Sequence, residues 1–87
     1  MSVRYSIFFK PSAKKAFDKL PNEIKSQLGV KIESLKIYPY QKGARKIITT
    51  TKNVFRIRSG KYRIIYQIQD GELVVLILRV AHRSKAY

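Results

Sequence analysis

The sequence contains no cysteine, one histidine and only five acidic residues in 87. Without cysteine there can be no disulfide, no thiolate nucleophile and no cysteine-based zinc site. The composition suits a reducing compartment. No apolar run reaches the length that spans a membrane, and the N-terminus lacks the apolar segment and small-residue cleavage site of a secretory leader. We therefore expect a cytoplasmic protein with no membrane partner.

Several chemical motifs are also missing from the sequence. There is no paired carboxylate motif, no Walker loop, no dinucleotide fingerprint and no spacing typical of a metal-ligand cluster. We therefore expect no metal and no cofactor. Any catalysis must use arginine, lysine, histidine and tyrosine side chains.

Basic charge is abundant and unevenly distributed. Nineteen Lys and Arg against five Asp and Glu give a formal net charge of +14. Residues 34–69 hold nine basic residues and no acid. Such a balance predicts attraction to a polyanion that is steered at long range and weakened by salt. The partner classes it favours are nucleic acid and acidic protein.

The apolar content of 45%, with six Tyr and four Phe, indicates a folded chain despite this charge. A chain of 87 residues has room for one domain, residues 1–87. Residues 3–9 alternate as a strand does, and Pro11 should end it. Ser12 can then cap a first helix that continues to Leu20.

A second helix should begin at Pro21 and end near Ile37. Its apolar stripe recurs at spacings of four, four and three and should pack on a sheet. Residues 45–51 remain ambiguous, because β-branched residues favour an extended segment while charged and small residues fit a loop. The stripe consists of Ile24, Leu28, Ile32 and Leu35.

The C-terminal half predicts a three-stranded meander over residues 54–59, 62–69 and 73–81. Gly60-Lys61 and Asp70-Gly71 should form its two hairpin turns. The expected fold is therefore a small α+β domain of order β-α-α-β-β-β, with two helices on one face of a mainly antiparallel sheet. On the last strand we expect the packed row to be Val74, Leu76, Leu78 and Val80.

Arginines recur in these strands at positions that alternation places on the uncovered face. Arginine is seldom buried without a partner, and no acid lies near these residues in sequence except at the turn of Asp70 and Glu72. A solvated sheet face is the ordinary explanation. Mutual repulsion of the guanidinium groups instead favours a bound anion, with phosphate the first candidate. The arginines are Arg56, Arg58, Arg63, Arg79 and Arg83.

Two further residues near the C-terminus are candidates for chemistry. His82 is the only histidine, and it is either a surface residue beside the site or a proton-transfer group. Tyr87 is either a frayed end or a phenol that stacks on a base or donates a proton.

The stretches from Arg56 to Tyr66 and from Val74 to Arg83, together with Tyr87, resemble the RelE/ParE superfamily of type II toxins. Tyr62-Arg63 and His82-Arg83 carry most of the resemblance, and the N-terminal strand and helices fit it as well. The resemblance implies a RelE-type mRNA interferase that cuts codons in the ribosomal A site without a metal. A 2′-hydroxyl of the RNA would attack the adjacent phosphodiester.

The resemblance also implies roles for individual residues. Arg63 would bind the scissile phosphate, Arg83 would stabilise the developing charge, and Tyr87 would orient or stack on the base. The assisting basic positions fall on Val54 and Arg56, neither of which is a good base, so His82 or Lys61 would have to substitute. The basic residues expected to bind the RNA backbone are Arg45, Lys46, Lys52, Arg58, Lys61 and Arg79.

The implied partners are a small acidic RelB-like antitoxin, the ribosome and mRNA. The resemblance leaves a heterodimer and a heterotetramer with the antitoxin open. It also leaves a ParE-like DNA gyrase poison of the same fold as the competing function. A passive nucleic-acid-binding module is the third, and only the net charge favours it.

Overall fold

The computed structural model describes residues 3–85 as two helices packed on one face of a five-stranded sheet. The sheet order is β1-β5-β4-β3-β2, with β1 parallel to β5 and the other neighbours antiparallel. The expected α+β arrangement is confirmed. The elements are β1 (Ser6–Phe9), α1 (Pro11–Asp18), α2 (Asn22–Ser34), β2 (Arg45–Ile47), β3 (Val54–Ser59), β4 (Tyr62–Gln69) and β5 (Val74–His82).

The first helix begins earlier than the capping pattern indicated. Pro11 is its first residue, and extended Lys10 occupies the N-cap position, so Ser12 lies inside the first turn. Proline suits this position because its φ is already helical and its missing N–H would have had no helical partner. The predicted cap at Ser12 was therefore wrong by two residues.

The second helix carries the predicted apolar stripe into the core. Leu28, Ile32 and Leu35 are buried. Regular helix ends at Ser34, before the predicted end at Ile37, because the next two N–H groups bond three residues back: Leu35 to Ile32 and Lys36 to Glu33. Such bonds tighten the last turn of a helix.

The sheet has one strand more than the four expected. The ambiguous segment forms β2 over Arg45–Ile47, which pairs with Val54–Arg56 of β3. The connection back to β3 ends at Asn53, whose φ is +60°. The Asn53 side chain donates to the carbonyl of Ile68 at 3.2 Å, which ties this unusual residue to β4.

The turn between β4 and β5 differs from the predicted Asp70-Gly71 hairpin. Asp70–Glu72 form a short 3-10 turn, and Leu73 is the residue with positive φ, at 53°. The Asp70 carboxylate accepts hydrogen bonds from the phenols of Tyr5 and Tyr40. These hydrogen bonds fix the orientation of the Asp70 side chain. The chain reverses direction only after Asp70, where Leu73 adopts the positive φ.

The side chains of β5 point to different faces of the sheet than the predicted alternation indicated. Val75 and Ile77 are buried in the core, whereas in the predicted row of Val74, Leu76, Leu78 and Val80 only Val80 is buried and the other three are partly buried. Ile65 pairs with Arg79 but Tyr66 pairs with Ile77, so Leu78 is an extra residue in β5. A β-bulge of this kind shifts the alternation by one.

The core lies between the helices and one face of the sheet. It joins Ala13 of α1 and the α2 stripe to buried residues of β3, β4 and β5. Tyr66 is fully buried and donates its hydroxyl to the carbonyl of Pro39 at 2.7 Å. Within residues 3–85, no helix has the length and apolar character needed to cross a membrane. The uncovered face of the sheet is where the arginines gather.

Candidate functional site

Two cross-strand rows place five arginines on the uncovered face of the sheet. One row runs Arg45, Arg56, Ile65, Arg79 across β2, β3, β4 and β5. The next row runs Arg58, Arg63, Ala81. Paired residues on neighbouring strands share a face, so these side chains leave the sheet on the same side. The term "arginine face" below refers to Arg45, Arg56, Arg58, Arg63 and Arg79.

The spacing of this face suits a polyanion. Neighbouring strands lie about 4.8 Å apart, so Arg45 beside Arg56 and Arg58 beside Arg63 bring like charges close together. Like charges directly opposite one another repel. An anion bound between them removes that cost and gains bidentate hydrogen bonds from planar guanidinium groups.

The arginines differ in how deeply they are set. Arg56 and Arg63 are partly buried, whereas Arg45, Arg58 and Arg79 are exposed. The Nε atom of Arg63 is shielded from solvent. A guanidinium keeps its charge under such conditions, because its proton is held too tightly to be lost. Arg63 therefore presents a fixed positive charge at the centre of the face.

Three of the five acidic residues contact residues outside the arginine face. Asp18 pairs with Lys14 at 2.7 Å, and Glu33 pairs with Lys36 at 3.0 Å, both on the helices. Asp70 lies at the far turn, where hydrogen bonds from Tyr40 and then Tyr5 lower its pKa. These three carboxylates are bound to other residues, and the five positive charges of the arginine face attract an external anion.

Arg83 follows β5 at the same end of the sheet as Arg58 and Arg63. Its backbone N–H donates to the carbonyl of Lys61 at 2.7 Å, which joins the end of β5 to the β3–β4 turn. The Arg83 and Lys61 side chains are exposed there. Tyr87, the predicted base-stacking residue, lies outside the described residues.

His82 lies on the opposite side of the sheet from Arg63. It pairs with Tyr62 across the strands, and their rings meet edge to face with centroids 5.3 Å apart. Its Nδ1 accepts the backbone N–H of Ser84 at 3.2 Å and lies 2.8 Å from the Ser84 hydroxyl. An acceptor at Nδ1 places the proton of the neutral ring on Nε2.

Two of the predicted backbone-binding lysines lie outside the two rows that form the arginine face. Lys46 pairs with Phe55, whose ring stacks on Tyr66 on the helix-covered side. Lys52 lies in the loop before β3, where its carbonyl accepts from Gln67 at 3.1 Å. The structure therefore brings together Arg45, Arg56, Arg58, Arg63 and Arg79, with Lys61 and Arg83 at their end of the sheet.

Residues 7–87 match the family described as the ParE toxin of type II toxin–antitoxin systems, parDE. The chain belongs to this toxin family. The RelE/ParE superfamily that the sequence resembled is thereby confirmed, and the protein is a type II toxin of RelE/ParE fold.

Individual relatives of this toxin carry RelE-type names. Toxin RelG of Mycobacterium tuberculosis is 32% identical over 87 residues, covering 95% of both chains. A putative RelE-like toxin protein of Escherichia coli is 26% identical over 86 residues, covering 97% of this chain and 88% of the relative. A crystal structure of the toxin–antitoxin complex RelBE2 from M. tuberculosis superposes with a TM-score of 0.82 at 30% identity, covering 95% of each chain.

Sequence reasoning missed two basic residues of this toxin that line the edge of the arginine face. Lys31 of α2 and Lys42 of the following loop border a cleft shared with Arg45, Arg56 and Arg58. Lys42 falls within the acid-free run of residues 34–69, so charge density was a usable signal for it. Lys31 gave no such signal, because its position depends on how α2 docks against the sheet.

Proposed function

We propose that this toxin is a ribosome-dependent mRNA endoribonuclease that cleaves codons in the ribosomal A site and so inhibits translation in the cytoplasm. The observation that carries the proposal is the arginine face. Five guanidinium groups share one open surface, and Arg58 lies directly opposite Arg63. Such a surface fits the phosphates of a polynucleotide. RelE-type names among the relatives support the same activity.

The proposed reaction needs no metal. The 2′-oxygen of the nucleotide before the cleaved bond attacks the adjacent phosphorus, and its proton passes to a base. The bond from phosphorus to the 5′-oxygen breaks, and that oxygen takes up a proton to become a free 5′-hydroxyl. The other product end is a 2′,3′-cyclic phosphate. Fixed guanidinium groups stabilise the negative charge that develops on the phosphoryl oxygens.

The roles follow from where each arginine sits. Arg63, partly buried at the centre of the face, would hold the scissile phosphate. Arg83, exposed beside Lys61, would stabilise the charge as the bond breaks. Arg56 and its row would bind the neighbouring phosphates, and Tyr87 would stack on the base. Each well-placed donor is worth about 10²- to 10³-fold in rate.

The general base has two candidates, and geometry favours one of them. Val54 is buried and carries no titratable group, and Arg56 holds its proton too tightly. His82 faces the helix side with Nδ1 engaged by Ser84. Lys61 is exposed at the end of the sheet that holds Arg63 and Arg83. Lys61 is therefore the better placed of the two candidates, and the ribosome would orient the 2′-hydroxyl for in-line attack.

A ParE-like DNA gyrase poison is the second candidate function. The family description, ParE toxin, favours it. Fold does not separate the two activities, because function depends on the site and one fold hosts several. The two candidates differ in their target: the RNase acts on messages, and the poison acts on gyrase and leaves messages intact.

We also propose that the toxin binds a small acidic RelB-like antitoxin. The structurally similar RelBE2 of M. tuberculosis was solved as a toxin–antitoxin complex. The net charge of +14 favours an acidic partner, because complementary charges speed association. An antitoxin that covers the arginine face would compete with RNA for it. The complex is either a heterodimer or a heterotetramer.

The experiment adds purified toxin to a translating extract and, separately, to a gyrase supercoiling reaction. We expect A-site cleavage by the wild type, loss of cleavage in Arg63→Ala and Arg83→Ala, and ribosome binding by both variants. Gyrase should be unaffected. Unchanged cleavage in both variants would overturn the assignment of the site, and gyrase-dependent double-strand breaks without message cleavage would establish the second candidate.

A further inference from the structure

A basic cleft lies where the arginine face meets the edge of the sheet. It has a volume of about 400 Å³ and is lined by Lys31 of α2, Lys42 of the following loop, Arg45 of β2, and Arg56 and Arg58 of β3. This group of five is termed the edge cleft below. Every charged residue in its lining is basic.

The strand register explains how the edge cleft forms. β2 pairs with β3 only from Val54 to Arg56, so β2 stops short of Ile57. Beyond that point α2 supplies Lys31, and the loop that returns to β2 supplies Lys42. Cations from the helix side of the sheet therefore meet the end of the arginine face. Arg56 and Arg58 belong to both surfaces.

We propose that the edge cleft is a second phosphate-binding site, which holds an RNA backbone segment outside the position of the cleaved bond. The inference rests on the proposed RNase function, and it extends the bound RNA beyond the arginine face. One continuous polyanion bound by Arg63 reaches Lys31 and Lys42 through the shared Arg56 and Arg58. The site would hold the RNA by its phosphates and would not distinguish bases.

The lining of the edge cleft favours RNA over an acidic protein segment. Gly43 and Ile57 are its only uncharged lining residues, so Ile57 is the one apolar side chain in its lining. Protein partners usually anchor aromatic or aliphatic side chains in the centre of an interface. A phosphate backbone needs only positive charge and hydrogen-bond donors, and arginine and lysine supply both.

The test measures how the affinity of the full chain for a short oligouridylate depends on salt, by fluorescence anisotropy. We expect Lys31→Ala/Lys42→Ala to bind about 10-fold more weakly at low salt. The slope of log K against log salt is negative, and its magnitude should decrease by about 1.4, that is ~0.7 for each of the two phosphates that the variant no longer neutralises. Lys31→Arg/Lys42→Arg keeps the charges and should keep the slope. Lys15→Ala/Lys19→Ala removes two exposed charges at the C-terminal end of α1 and should leave the slope nearly unchanged.

A second probe, polyglutamate, separates RNA from an acidic protein. If Lys31→Ala/Lys42→Ala weakens polyglutamate binding but leaves the oligouridylate slope unchanged, the inference is wrong. An equal decrease in the magnitude of the oligouridylate slope in the Lys15→Ala/Lys19→Ala control also overturns the inference. Net charge would then explain the effect. Matching unfolding curves for all variants exclude misfolding.

Failure of the inference and failure of the proposed function give different results. A wild type that cleaves codons while the double variant keeps the full salt slope overturns only the edge cleft. A wild type that cleaves no codons overturns the RNase function, and with it the biological role of the cleft, whatever the slope.

Discussion

Arg58 and Arg63 lie directly opposite one another on adjacent antiparallel strands and share the face of the sheet that the helices leave open. Two like charges in this position cost stability in the free protein, and a bound phosphate relieves that cost. A protein selected only for folding would gain by replacing one of them. We interpret the pair as part of the proposed phosphate-binding surface.

Replacing Arg58 should separate binding from folding. We expect Arg58→Ala to leave the free energy of unfolding unchanged or to raise it by up to ~1 kcal/mol, since the variant relieves the repulsion with Arg63. Affinity for oligouridylate should fall in the same variant. Urea unfolding and anisotropy measure the two quantities. A clear loss of stability would show that Arg58 has a structural role and would contradict this interpretation.

Substitution by glutamine should affect the cleavage rate very differently at His82 and at the neighbouring Arg83. We expect Arg83→Gln to lower the single-turnover cleavage rate on programmed ribosomes by about 10²- to 10³-fold, because a charge stabiliser is lost. His82→Gln should retain a rate within a few-fold of the wild type, since His82 faces Tyr62 and Ser84. A large rate loss in His82→Gln with intact folding would instead assign His82 the proton transfer and remove the case for Lys61.

Asp70 should make stability fall in acid. Hydrogen bonds from Tyr40 and Tyr5 lower its pKa from 3.8 in the folded chain. A lowered folded pKa contributes stability above the unfolded pKa and loses it as the pH falls through the folded pKa. We expect the stability difference between the wild type and Asp70→Asn to be constant above about pH 5 and to shrink below pH 4. Urea unfolding across this range measures it. A difference that does not change with pH would contradict the coupling.

The two tyrosines around Asp70 provide an alkaline control. The hydrogen bond to Asp70 is the largest cause of the raised pKa of Tyr5, whereas burial is the largest cause for Tyr40, whose pKa is raised to about 12. Ultraviolet titration of Asp70→Asn should therefore return the pKa of Tyr5 toward 10.0 and leave that of Tyr40 elevated. If the pKa values of both tyrosines returned equally toward 10.0, burial would contribute little to the raised pKa of Tyr40.

Two glycines should respond to alanine with opposite signs. Gly60 has a φ of +60°, and a Cβ there would meet Nε2 of Gln27 at 2.2 Å, so Gly60→Ala should lower the free energy of unfolding by about 1–2 kcal/mol. Gly29, in the middle of α2, has open space around it, so Gly29→Ala should raise it by about 0.5–1 kcal/mol. Urea unfolding of both variants checks the signs. Adding Gln27→Ala to Gly60→Ala should relieve the clash but not the cost of the positive φ.

Some of this fold could be predicted from local sequence, and some depended on long-range contacts. The β3–β4 hairpin followed from alternation around Gly60, and its bounds were confirmed. The bulge at Leu78 left no mark in an unbroken apolar run, so the buried row of β5 was misassigned. β2 was ambiguous because three residues gain strand character only by pairing with β3.

The candidate site, too, could be predicted from local sequence only in part. Arg56, Arg58, Arg63 and Arg79 were all placed on the uncovered face from strand alternation, although the bulge that sets the facing of Arg79 was not predicted. Proximity in sequence suggested that His82 would act beside Arg83. The register instead places His82 with Tyr62 on the covered side, which adjacency along the chain could not reveal.

Primer-extension mapping of message ends after brief induction tests the central claim most directly. The claim is that the open arginine face binds and cuts messenger RNA on the ribosome. We predict new 5′-ends within translated codons in cells expressing the wild type and none in cells expressing Arg63→Ala. Arrested growth with intact messages and broken chromosomal DNA would contradict the claim and would identify gyrase as the target.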